Sequence, residues 1–176
     1  MTTKIAVISD THIDDRISSF PAGLLKQLRG FDIVIHCGDF TTREALEKFD
    51  DFPKFYAVAG NMDEPYIRRN LPETLALEIA GVRVGVIHGW GSPFGFTRRI
   101  YAAMREKHPD VKFDIILCGH SHQPADEEID GTRILNPGSV AGNIFSKHGS
   151  WGELEISESS INWTIHKIER TFGGII

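Results

Sequence analysis

The sequence predicts an α/β fold in which two sheets pack face to face with helices outside, and three observations predict it. Apolar, β-branched runs alternate with helix-forming stretches through the first third of the chain, the signature of a parallel α/β layer. Clean two-residue alternation in the later part reads as antiparallel strands. Most of the strand-like runs end in a glycine, carboxylate, amide or imidazole. In open α/β sheets, ligands bind beyond the carboxyl ends of the strands.

In order, Lys4 to Ser9 is a buried strand ending in Ser9-Asp10-Thr11-His12. If the backbone stays extended there, Asp10 and His12 point the same way. Ser18 or Ser19 caps a helix running to about Arg29, with Pro21 in its first turn and Gly30 as the stop. Asp32 to His36 is a second strand that runs out through Cys37 and Gly38 to Asp39. Thr41 or Thr42 caps a helix from Arg43 to Asp50, and Lys54 to Ala59 is a third strand, ending in Gly60-Asn61-Met62-Asp63. A short helical piece after Pro65 leads to Pro72.

Thr74 to Ile79 and Val82 to Ile87 pair around Ala80-Gly81, and the second of them runs into His88. Gly95 to His108 is an amphipathic helix, with Phe96, Ile100, Ala103 and Met104 on one side. Its arginines form a solvated face, or else Arg98 or Arg99 meets a substrate phosphate. Phe113 to Cys118 ends in Gly119-His120-Ser121-His122. A hairpin of Ala125 to Ile129 with Thr132 to Leu135, the tight turn Asn136-Pro137-Gly138-Ser139, and strands Trp151 to Ile156 and Ile161 to Ile168 complete the pattern.

With 176 residues, one domain over residues 1–176 is expected, with enough chain to bury a core. No apolar run approaches the ~20 residues of a membrane helix, and the N-terminal residues do not read as a signal peptide, so a cytoplasmic protein is expected. Cys37 and Cys118 lie inside apolar runs, as reduced buried thiols do. The formal net charge of −5 disfavours a broad basic face for nucleic acid. It leaves room for a small phosphate ester, because bound cations reverse the local field.

The polar groups at the strand ends are Asp10, His12, Asp39, Asn61, His88, His120 and His122. Oxygen and imidazole donors without thiolates suit borderline divalent ions: Mn²⁺, Fe²⁺, Zn²⁺, Co²⁺ or Ni²⁺. The set exceeds what one open catalytic ion uses, so two ions sharing the Asp39 carboxylate account for it. His36 and His166 read as packing residues and His108 as a helix-end histidine, whereas Lys147 or His148 could reach the mouth of the pocket.

The ordered motifs Asp10-x-His12, Gly38-Asp39, Gly60-Asn61-x-Asp63, His88 and Gly119-His120-x-His122 resemble the calcineurin-like metallophosphoesterase superfamily. The chain length and the Asn136-Pro137-Gly138-Ser139 turn resemble its small YfcE-type phosphodiesterase branch. The resemblance implies a four-layer α/β/β/α sandwich and a hydrolase of small phosphate esters. One metal ion would be held by Asp10, His12, Asp39 and His122, and a second by Asp39, Asn61, His88 and His120. Two such ions about 3.5–4 Å apart lower the pKa of a shared water, so that a bridging hydroxide attacks phosphorus. Asp39, Asn61, Asp63 and His120 are the catalytic candidates.

One position departs from the superfamily pattern. Where many members carry a proton-donating histidine after Gly-Asn, this chain has Met62. General acid catalysis typically contributes about 10²–10⁴-fold, so esters with good leaving groups are expected to be favoured unless Asp63 stands in. The alternative class is a protein-interaction scaffold on the same fold, like the retromer subunit with its damaged metal site. The intact ligand set argues for the enzyme. The subunit count is open, a homo-oligomer included.

Overall fold

A computed structural model describes residues 1–142 and 148–169; the expected contact from Lys147 lies outside them. The elements are β1 (Thr3–Ile8), α1 (Leu24–Leu28), β2 (Ile33–His36), α2 (Arg43–Glu47), β3 (Phe55–Ala57), α3 (Pro65–Asn70), β4 (Thr74–Ile79) and β5 (Val82–Ile87). They continue with α4 (Phe96–Lys107), β6 (Ile115–Cys118), β7 (Pro124–Ile129), β8 (Thr132–Pro137), β9 (Gly149–Ile156) and β10 (Ile161–Ile168). One sheet has the order β10-β9-β1-β2-β3 and the other β4-β5-β6-β8-β7. Each mixes parallel and antiparallel pairs. β1 lies parallel to β2 and antiparallel to β9, while β6 lies parallel to both β5 and β8.

Three separate apolar interiors make four layers. Ala6 and Ile8 of β1 face outward, joining Leu28, Phe49 and Ile67 from the α1, α2 and α3 side. Their neighbours Ile5 and Val7 face inward, meeting Val84, Val86, Leu117 and Leu135 of the other sheet. The two-residue alternation of a strand assigns consecutive side chains to different cores in this way. On the far side, Ile100 and Met104 of α4 pack on Ile116, Cys118 and Ile134.

Three expectations change in detail. The tail strands β9 and β10 extend the first sheet, alongside β1, and form no later layer of their own. The pairing of β9 with β1 lets the alternating tail bury Leu154 and Ile156 in the central core. The first helix starts at Leu24, not at Ser18 or Ser19, because Gly23 before it adopts a left-handed φ of 79° that no helix can include. The backbone after β1 is not extended, because Asp10 and His12 have φ of 52° and 45°. By contrast, Thr42 caps α2 as expected, its side chain accepting from the Ala45 N–H.

Candidate metal centre

The chain leaves β1, β2 and β6 at the same edge of the sandwich. β1 and β2 are neighbours in one sheet, and the Gly119 N–H after β6 donates to the carbonyl of His88, which follows β5. Asp10 N–H donates to Gly38 O at 3.0 Å and His12 N–H to Asp39 O at 3.2 Å, which zips the first two strand ends together. Asp39, His120 and His122 share the left-handed backbone of Asp10 and His12, with φ of 59°, 64° and 56°. Non-glycine residues rarely adopt this conformation, and it clusters at functional sites.

Asp10, His12, Asp39 and His88 are almost wholly buried. Two groups of donors converge closely enough to hold a metal ion: Asp10 with His12 and His122, and Asp10 with Asp39 and His88. Within the first, His122 Nε2 lies 3.0 Å and His12 Nε2 3.8 Å from Asp10 Oδ1. Asp39 Oδ2 lies 3.7 Å from His12 Nε2 and 3.2 Å from His88 Nε2, so one carboxylate oxygen faces imidazoles of both groups. Asn61 Oδ1 sits 3.2 Å from His88 Nε2 and 3.0 Å from His120 Nδ1. All seven side chains named from the strand ends therefore meet at one place.

The donors fit a cation. Asp10 Oδ1 is buried and faces imidazole nitrogens, His122 Nε2 at 3.0 Å and His12 Nε2 at 3.8 Å. A buried carboxylate oxygen is costly unless a positive charge, on a ring or on a metal ion, sits beside it. Burial alone would lower the His88 pKa, but its hydrogen bond to Asp39 and the charge of Asp10 push it up to about 9. A proton on His88 thus does for the acids what a cation would do. Burial also drives the Asp10 carboxyl upward. Hydrogen bonding to His122 and the charges of His88 and His122 outweigh it and hold the group well below the usual carboxylate range.

The surroundings choose which nitrogen each ring turns inward. His88 Nδ1–H donates to Cys37 O at 2.7 Å, leaving Nε2 toward Asp39. His120 Nε2–H donates to Gly91 O at 3.0 Å, leaving Nδ1 toward Asn61, and Phe96 stacks on its ring. His122 is arranged differently. Arg16 donates to its Nδ1 at 3.0 Å, which puts the ring proton on Nε2, so a cation there requires the other tautomer and displacement of Arg16.

Backbone geometry fixes the acids as tightly. Asp39 Oδ1 accepts the Met62 N–H at 2.8 Å. A β-carbon on Gly60 would run into Asp39 Oδ1 and the Asp39 backbone nitrogen, so only glycine lets the Asn61 loop approach. Both oxygens of Asp63 accept backbone N–H groups, from Thr41 at 2.8 Å and Gly60 at 2.7 Å. Burial raises its pKa while those donors oppose the rise. Asp63 thereby ties the Asp39 and Asn61 loops together. Asn136 braces the His120 loop, its Nδ2 donating to Gly119 O at 2.7 Å. Ser139 Oγ donates to Asp10 O at 2.9 Å.

Arg99 serves neither of the purposes expected of it. Its guanidinium donates to the carbonyls of Trp90 at 3.0 Å, Ser92 at 2.5 Å and Phe94 at 3.4 Å. These straddle Gly91, the acceptor for His120. Nothing in the sequence pattern marks this clamp; the glycine-rich stretch Gly89-Trp90-Gly91, which needs an external hold, was the available signal. His36 packs behind the site as expected, wholly buried and stacked on Phe40, with burial driving its pKa well down. Burial likewise pushes both thiols up, Cys118 to about 12, which suits reduced core residues.

Four layers around a buried nest of carboxylates and imidazoles define an α/β protein with a candidate metal centre. The family model for the calcineurin-like phosphoesterase superfamily domain matches residues 3–159. A probable metallophosphoesterase of Methanocaldococcus jannaschii is 38% identical over 138 residues, covering 78% of this chain and 68% of that protein. A phosphodiesterase of the same archaeon is 22% identical over 154 residues, covering 80% and 86%. The solution structure of a Thermotoga maritima protein aligns with TM-score 0.74 and 32% identity, covering 93% of this chain and 98% of its own. Vps29 from Chaetomium thermophilum aligns with TM-score 0.74 at 20% identity, covering 94% and 97%, a likeness of fold. The chain belongs to the calcineurin-like phosphoesterase superfamily, and it is a metal-dependent phosphoric ester hydrolase. Among the described residues, no helix is long and apolar enough to cross a membrane.

Proposed function

We propose that the protein is a phosphodiesterase with two divalent cations, Mn²⁺ first among the candidates, sharing Asp39. The observation that carries this is Asp39 Oδ2, which faces His12 on one side and His88 on the other. Asp10, His12 and His122 would complete one ion's ligands, and Asn61, His88 and His120 the other's. When bound, such a pair supplies Lewis-acid polarisation of a phosphate and a strong nucleophile at neutral pH. Asn61 contributes an oxygen without adding charge beside an already shared carboxylate. His88 and His120, anchored through their outer nitrogens to Cys37 O and Gly91 O, hold their positions while charge moves across the phosphate.

Preference for a diester rests on the related protein named a phosphodiesterase. Met62 adds a preference for good leaving groups, because it stands where a proton donor would serve a poor one and Asp63 has both oxygens engaged with backbone. The test compares bis-p-nitrophenyl phosphate with p-nitrophenyl phosphate, with and without Mn²⁺, alongside metal analysis of the wild type and Asp39→Ala. Two ions per chain, Mn²⁺-dependent diester turnover and loss of both in Asp39→Ala are expected. A single ion per chain or a monoester preference would overturn the proposal. No turnover with any of the five metals would favour the scaffold role.

A further inference from the structure

A cavity of about 300 Å³ opens directly off the metal centre, sharing Asn61 and His88 with it. Its lining includes Trp90, from the loop after β5, Arg68, from α3, and Ile87 of β5. That volume is at the lower end for small-molecule sites, about 300–1,000 Å³, room for one ring system and an attached group. Two further observations describe what would fit. Apart from Met1, the exposed large apolar side chains among the described residues are Met62, Tyr66, Trp90 and Phe94. Of these, Trp90 lines the cavity, and water-facing aromatic surface beside a cavity is a mark of ligand contact. Charge is also unbalanced. Lys107 on the wall is neutralised by Glu73 at 2.5 Å, whereas Arg68 makes no ion pair among the described residues.

Resting on the phosphodiesterase reading, we propose that this cavity receives one ester arm of the substrate and selects an arm that is flat, aromatic and anionic. The phosphate lies at Asn61 and His88, the ring stacks on Trp90, and the arm's own carboxylate or second phosphate meets Arg68. A nucleotide arm has this chemistry. The clamp from Arg99 onto the Trp90 carbonyl fixes the stacking platform in advance, which reduces the ordering cost of binding.

The test is calorimetric binding of methyl, benzyl and 4-carboxybenzyl phosphate to the Mn²⁺-loaded wild type, Trp90→Ala and Arg68→Gln. Both side chains are exposed, so both variants keep the fold. Stacking on an aromatic side chain makes benzyl phosphate bind about 5- to 100-fold more tightly than methyl phosphate. The exposed arginine adds about threefold to fivefold for the carboxylate. Trp90→Ala loses the first step; Arg68→Gln loses only the second, and Arg68→Lys restores part of it. Equal binding of the three ligands by the wild type, or variants that weaken all three equally, overturns the proposal. Diester turnover with no discrimination refutes the pocket alone. Discrimination without turnover keeps the pocket and refutes the hydrolase role.

Discussion

Replacing Arg99 by methionine isolates the support behind His120. Methionine keeps an apolar stem over Phe96 and removes donors to three carbonyls, at 3.0, 2.5 and 3.4 Å. A hydrogen bond to a charged group contributes about 1.5–3 kcal/mol when it is well shielded. Here the guanidinium is half-buried and the loop faces water, so the freed carbonyls are rehydrated and the total falls to about 2 kcal/mol or less. For a chain of this size about 1 kcal/mol corresponds to roughly 2–4 °C, so the melting temperature should fall by several degrees at most. The effect on the metal is sharper. Once Gly91 O drifts, His120 Nε2–H loses its partner and the ring its orientation. Loss of such an outer partner typically costs about 10–100-fold in metal affinity. Calorimetric titration of Mn²⁺ into metal-free protein should show one of two sites weakened by at least about tenfold. Arg98→Met, exposed and outside the clamp, should leave both sites unchanged. Two sites of wild-type affinity in Arg99→Met would refute any link between the clamp and His120.

Met62→His should raise turnover of alkyl esters toward the about 10²-fold scale of general acid catalysis and leave p-nitrophenyl esters little changed; equal rates for alkyl esters mean proton donation is not limiting. Gly60→Ala should destabilise by about 1–3 kcal/mol or more and weaken metal binding, because its β-carbon meets the backbone and carboxyl of Asp39, which cannot yield; a wild-type melting curve would contradict this. The His88 pKa, raised to about 9, makes the metal-free protein pH-sensitive. The stabilisation is fully present below the unfolded value of about 6.5 and is lost as pH rises through about 9. Melting temperatures of metal-free protein should therefore fall between those limits, and Mn²⁺ should flatten the profile by replacing the proton. A metal-free profile that is already flat counts against the proton on His88.

Much of this site could be read before any coordinates, because its information is local. Strands that stop at glycine and then an acid or imidazole mark a common edge, so Asp10, Asp39, His88 and His120 could be grouped from pattern alone. Turn chemistry was legible for similar reasons, as at Ala80-Gly81, where both residues take the left-handed backbone of a two-residue hairpin loop. What stayed hidden depends on contacts distant in sequence. Arg99 reads as one more cation on a helix face until the loop it holds is in place. Gly23 reads as a helix residue until its left-handed φ shows otherwise, and the pairing of β9 with β1 spans almost the whole chain. The strand-like extension assumed for Asp10 and His12 failed because period-two alternation describes regular strands, and these residues lie just past one.

The left-handed backbone at Asp10, His12, Asp39, His120 and His122 narrows what drift can do to this molecule. Such a conformation costs most side chains about 1 kcal/mol or more and is tolerated chiefly by glycine, asparagine, aspartate and, to a lesser degree, histidine. Loss of catalysis in a descendant would not free these five positions to become valine or leucine. Main-chain shape would continue to favour glycine and small polar residues there. A vanished metal site on this fold should therefore leave a fossil outline in its sequence, still recognisable after every donor atom has gone.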